Sequence, residues 1–130
     1  GVPDIDLNTI DISSFQINGV QIIPIRAYHY KLPVLGFRID DFTYITDANY
    51  IPEEEKEKII GSKYIVINAL RKKKHISHFS LSEAQEVVRE FSPRYAYFTH
   101  ISHQMGFHKE VNKSLPENVK LAHDGLILEI

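Results

Sequence analysis

There is no cysteine in this 130-residue chain, which excludes a disulfide framework and every thiolate-held zinc or iron–sulfur site. Any metal must be held by imidazole and carboxylate. Tryptophan is also missing, and methionine occurs once, as Met105. Nor does charge of one sign dominate: 15 basic residues against 17 acidic ones leave a net charge of −2, too weak a field to gather nucleic acid or an anionic membrane. No apolar run approaches the ~20 residues of a membrane-spanning helix, and no basic-then-apolar leader opens the chain. The expectation is a soluble, cytoplasmic protein with no membrane partner. Its chemistry must lie in local sites.

What is there suffices for one domain over residues 1–130, since 43% apolar residues can build one modest core. The chain begins Gly1-Val2-Pro3 rather than with methionine. It is expected to be a processed product or a piece of something longer. The stretch "IDISSFQINGVQIIPIRAY" places two β-rich runs around Asn18-Gly19, the dipeptide that favours a tight hairpin. "VLGFRI" and "FTYIT" form a second such pair around Asp40-Asp41. A short helix is predicted for "IPEEEKEKIIG", with Pro52 in its first turn and Gly61 as its stop. "KYIVINAL" reads as a buried strand, and "RKKKHISH" as a loop. "SLSEAQEVVREF" has Ser80 three residues before Glu83, the capping-box spacing, with Ala84, Val87, Val88 and Phe91 along one face. After the strand "YAYFTH", one short helix is predicted over "HQMGFHKEVNKSL", then two short strands about Asp124-Gly125. Strands alternating with helices after antiparallel hairpins define an α/β layer.

Four of these strand ends carry groups with chemistry: His29 after "IPIRAY", Asp47 after "FTYIT", His78 beyond "KYIVINAL", and His100 after "YAYF". Where helices cover a sheet, ligands gather beyond one edge of the strands, so convergence is expected there. Imidazole and carboxylate suit Zn²⁺, Mn²⁺ or Fe, and Asp47 can bridge two ions. Set against this, a single histidine is more often an ordinary surface residue than a ligand, and Asp47 before Ala48-Asn49 is also a good turn former. The runs "EEEKEK" and "RKKK" read first as solvated surface.

Taken together, "GFRIDDFTYITDANYIPEEE", "VINALRKKKHISHFSLSEA", "YFTHISHQMGFHKEV" and "AHDGLILEI" resemble the C-terminal half of metallo-β-lactamase-fold hydrolases. The branch that contains phosphoribosyl 1,2-cyclic phosphate phosphodiesterase is the nearer likeness, with ribonuclease Z more distant. The resemblance implies half of an αββα sandwich, a mixed sheet with helices on one face. It implies that His29, Asp47 and His100 are metal ligands, Asp47 bridging two ions. By the same likeness His78 is a catalytic or phosphate-contacting histidine, while His103 supports His100 or points into the cleft. The family's H-x-H-x-D-H string is absent from this chain. The N-terminal half that would carry it is therefore the expected partner, and this chain holds at most three of the ligands.

For the intact protein the resemblance implies hydrolysis of a small phosphodiester, of cyclic nucleotide or phosphoribosyl type, with two divalent ions (Zn or Mn). This chain alone is expected to bind metal weakly and to be inactive, and to self-associate through the sheet face the other half would cover. The alternatives are a non-catalytic α/β interaction module and a nuclease related to ribonuclease Z. Nucleic acid is not the expected partner, because only "RKKK" could engage it.

Overall fold

The computed structural model describes residues 3–130, so Gly1 and Val2 at the chain's opening lie outside the described residues. Seven strands form one mixed sheet whose spatial order is their chain order. β1 (Phe15–Ile17) and β2 (Val20–His29) make the hairpin expected around Asn18-Gly19, whose φ angles of 50° and 81° are the positive values such a turn requires. β3 (Leu32–Ile39) and β4 (Phe42–Ile45) continue antiparallel, with Asp40 in the left-handed region at the turn. From β4 onward the pairing is parallel through β5 (Tyr64–Asn68), β6 (Tyr95–Thr99) and β7 (Val119–Leu121). Two reversals leave β2 running with β4. The C-terminal ends of β2, β4, β5 and β6 therefore open onto one edge of the sheet.

Side chains alternate across the strands, and the two faces differ. Thr43, Ile45, Ile65, Ile67, Ala96, Phe98, Val119 and Leu121 point to the helix side and are buried. There α1 (Leu81–Phe91) covers them with Ala84 and Val88 buried and Val87 and Phe91 packed against the core. The expected capping box is present: Ser80 Oγ accepts from Glu83 N, and Glu83 Oε2 accepts from Ser80 N at 2.8 Å. On the opposite face Phe42, Tyr64 and Tyr95 lie in register, as do Tyr44, Val66 and Tyr97. Tyr64 and Tyr95 stack with centroids 5.7 Å apart, yet Tyr44 and Tyr95 stay exposed. This face carries no helix among the described residues.

The short helix expected after Pro52 forms, as a 3₁₀ helix over Glu53–Lys58, and two other elements depart from expectation. The ion pairs Glu53–Lys56 and Glu55–Lys58 are spaced i,i+3, the spacing that eclipses in a 3₁₀ helix. Buried Glu55 also accepts from Arg26 N, and Lys58 Nζ donates to Pro24 O, so this segment closes the free edge of β2. The helix expected over 103–115 is split by Gly106, whose φ of 103° only glycine adopts readily, into a 3₁₀ turn His103–Met105 and α2 (His108–Ser114). Finally, only β7 forms at the C-terminal end, without a second strand beyond Asp124-Gly125. Its outward N–H at Leu121 is taken by Asn112 Oδ1 of α2 at 2.7 Å, which removes a donor that a further strand would need.

Gly36 in β3 is where the sheet tolerates no side chain. A Cβ there would stand 2.6 Å from Ile45 Cγ1 and 2.9 Å from the Tyr44 carbonyl oxygen. Gly36→Ala is expected to cost about 1–3 kcal/mol, read as a lower urea midpoint. An unchanged midpoint would show that β4 yields at no cost.

Candidate metal centre and active site

Each strand on the open edge delivers its polar residue to one place. Asp47 lies just past β4 and His100 just past β6, both in the left-handed region at φ 61° and 55°. For residues other than glycine this costs about 1 kcal/mol or more each, and such strain persists where the surroundings over-determine it. Those surroundings can be named. Buried Asn68, at the end of β5, exchanges two hydrogen bonds with Ala48, Ala48 N to Oδ1 at 2.9 Å and Nδ2 to Ala48 O at 2.8 Å. Phe79 N donates to the same carbonyl, tying the His78 loop to the Asp47 loop. Asn49 accepts from Tyr30 N at 2.7 Å and donates to Ile76 O at 3.2 Å, joining the His29 turn to the His78 loop. Ser102 N donates to Leu70 O and anchors the segment after His100.

The result is a cluster centred on one carboxylate oxygen. His78 Nε2 is 2.8 Å from Asp47 Oδ1, and His29 Nε2 and His100 Nε2 are each 3.8 Å from it. One donor atom from each of His29, Asp47 and His78 lies within 4.8 Å of the others, a set that can hold a metal ion. His78's ring meets that of His29 edge-on and that of His100 in a stack, each at 4.8 Å. It is the least accessible of the group, its side chain 12% exposed against 38% for His100. Burial pushes the His78 pKa below the usual imidazole value, against the pull of the Asp47 hydrogen bond, and neighbouring His100 lowers it further.

Four of the five residues singled out in the sequence are thus brought together. His103, exposed in its 3₁₀ turn, lies outside these contacts among the described residues. The geometric trio includes His78, whereas the resemblance placed His100 among the ligands and His78 in catalysis. The 2.8 Å contact favours the second division, because a hydrogen bond to Asp47 occupies His78 Nε2 while His29 and His100 stand farther off with room between. Sequence reasoning missed Asn49 and gave Asn68 no task. A polar residue ending an otherwise apolar strand was the available signal for Asn68, whereas Asn49 carried none.

Fold and site together define a class. Residues 3–101 match the beta-lactamase superfamily domain, and the chain belongs to that family, one of metallo-β-lactamase-fold hydrolases that usually bind divalent metals. A diphosphatase from the PhnP family superposes with a TM-score of 0.90 at 31% identity, over 93% of this chain and 47% of its own. The metallo-β-lactamase fold protein YhfI from Bacillus subtilis gives 0.75 at 17% identity, over 92% of this chain and 54% of its own. Human tRNase Z, short form, gives 0.67 at 16%, over 89% and 45%. These last two likenesses speak to the fold alone. An octanoyltransferase from Porphyromonas gingivalis W83 is 31% identical over 113 residues, which are 86% of this chain and 23% of that protein. The chain spans about a quarter of that curated relative and about half of each solved one. Among the described residues no helix is long and apolar enough to cross a membrane.

Proposed function

We propose that this chain is the C-terminal half of a metal-dependent phosphodiesterase, with its metal site completed by ligands from an N-terminal half. The observation that carries the reading is the convergence of His29, His78 and His100 on Asp47 Oδ1. A non-catalytic module would have no reason to hold Asp47 and His100 in strained backbone around one carboxylate. His29, Asp47 and His100 suit Zn²⁺ or Mn²⁺, and Asp47 has two oxygens with which to serve two ions. Bound divalent ions would lower the pKa of water and neutralise charge on the phosphate oxygens. Once protonated to the imidazolium, His78 gives a proton to the leaving oxygen and returns to the neutral ring as the phosphorus–oxygen bond breaks and hydroxide, formed by loss of a proton from water to solvent, bonds to phosphorus. An anionic ester beside the ring raises its proton affinity, offsetting the effect of burial.

The loop that leads to His78 also carries cations. Arg71, Lys72, Lys73 and Lys74 line a hollow with Gln104, between the segments that carry His78 and His100. Arg71 shapes it through bonds to Lys73 O, Lys74 O and Gln104 Oε1. The aromatic sheet face would pack on the N-terminal half, or on a second copy when that half is missing. Octanoyl transfer is not proposed for this chain, because that name belongs to a protein of which the match covers 23%.

The test is turnover of bis-p-nitrophenyl phosphate by this chain and by the protein that includes the N-terminal half. The longer protein is expected to hydrolyse it with zinc or manganese, and this chain to be inert. Inertness of the longer protein after reconstitution with each metal would overturn the reading.

A further inference from the structure

The segment after β7, "AHDG", belongs to no strand and plays no part in the mechanism above. It closes a turn instead: Leu126 N donates to His123 O at 3.1 Å, with Gly125 at φ 82° supplying the positive angle in the turn's third position. The approach to the turn is held from two elements. Ala122 N donates to Phe98 O of β6 at 2.8 Å, and His108 Nε2 lies 3.2 Å from Leu121 O and 3.3 Å from Ala122 O. Carbonyls only accept, so His108 donates and ties α2 to this segment. His123 Nδ1 likewise donates to Asp124 O at 3.0 Å. Between the turn and the end of β6 lies a hollow of about 260 Å³, lined by Thr99, His100 and Ile101 on one side and by Ala122, His123 and Asp124 on the other. One wall of it is therefore a residue of the cluster on Asp47.

Sheet order decides which part of a substrate meets this hollow. His78 comes from the loop after β5, which is tied to the Asp47 loop through Phe79 N and Ala48 O, so the hollow lies on the other side of His100, toward β7. A leaving oxygen turned to His78 places there the group that stays on phosphorus. The chemistry of the wall then limits what that group carries. Exposed Asp124 contributes a carboxylate, which accepts hydrogen bonds and repels a second anion. An ammonium group would instead stand beside a site suited to divalent cations. A neutral hydrogen-bond donor suits both neighbours, and a hollow this small takes one compact hydroxylated group. We propose that Asp124 is a specificity-determining residue: its carboxylate accepts from hydroxyls on the group retained on phosphorus, so that the intact protein selects diesters of polyols or sugars and disfavours those with a second phosphate or phosphonate at that place. The inference rests on the phosphodiesterase reading and on the side of the cleft it gives to His78.

The experiment uses the longer, metal-loaded protein and p-nitrophenyl phosphodiesters that differ only in the second group: butyl, 3,4-dihydroxybutyl, 4-phosphonobutyl and 4-aminobutyl. Release of p-nitrophenol reads all four, and ratios of kcat/KM cancel any general loss in a variant. The dihydroxybutyl ester is expected to exceed the butyl ester by about 10-fold, the worth of a hydrogen bond to a charged acceptor, and the phosphonobutyl ester to fall below both. Asp124→Ala is expected to bring the first ratio to about 1. Asp124→Asn keeps an acceptor without the charge, and should retain part of that ratio while raising the phosphonobutyl ester relative to the butyl one. Equal kcat/KM for the butyl and dihydroxybutyl esters in the unaltered protein, a preference for the aminobutyl ester, or a dihydroxybutyl preference that persists in Asp124→Ala would overturn the role of Asp124. No turnover of any ester by the unaltered protein would instead overturn the phosphodiesterase reading beneath it.

Discussion

Asp47→Ala in the longer protein is expected to abolish turnover, by about 10³-fold or more, and to strip metal from the site. Asp47 Oδ1 is the common point of three imidazoles, so its removal leaves His29 and His100 with no carboxylate between them. Losing a ligand and a negative charge from a paired cation site forfeits several kcal/mol, and about 4 kcal/mol corresponds to that factor in rate. The fold should survive. Asn68 and Phe79 bond to the backbone of Ala48, so the loop keeps its anchors, and alanine relieves no buried contact. A cooperative melting transition close to that of the metal-free unaltered protein, beside lost metal and lost activity, is the expected result. Retained turnover would remove Asp47 from the site.

His78→Ala is expected to act differently. It should lower kcat by about 10²- to 10⁴-fold, the usual contribution of a positioned acid or base, with little change in KM. Metal content should hold, because the 2.8 Å bond to Asp47 marks His78 as that carboxylate's hydrogen-bond partner. A variant that instead loses an ion would make His78 a ligand, as the trio with His29 and Asp47 permits. The same preparation thus separates the two divisions of labour, metal analysis on one side and kcat on the other.

Much of this arrangement is legible in the amino-acid sequence. Asn18-Gly19 and Asp40-Asp41 mark their hairpins because few residues take positive φ, and Ser80 with Glu83 marks a helix start because both ends of that reciprocal bond are local. His29, Asp47 and His100 are legible as a set because each follows an apolar run that needs no polar group, whereas His78 lies in the polar loop beyond β5. Their meeting at one oxygen is a consequence of topology, of β2 and β4 running the same way, and periodicity alone does not show that. The acidic run after Pro52 reads as a short helix, and its i,i+3 ion pairs and the bonds that Glu55 and Lys58 make to the open edge of β2 favour a 3₁₀ helix. What misleads is local. The C-terminal "LILEI" has strand composition, yet Asn112 already holds the β7 edge. Asn49 carries no sequence signal at all, since its partners are set by loops folding against one another.

The most direct test of the central claim is metal content by plasma mass spectrometry on the longer protein and on its His29→Ala, Asp47→Ala and His100→Ala variants. About two ions per chain are expected in the unaltered protein, falling in each variant and furthest in Asp47→Ala. Full occupancy in all three variants would contradict the account, because the residues gathered at this edge would then not be what holds the metal.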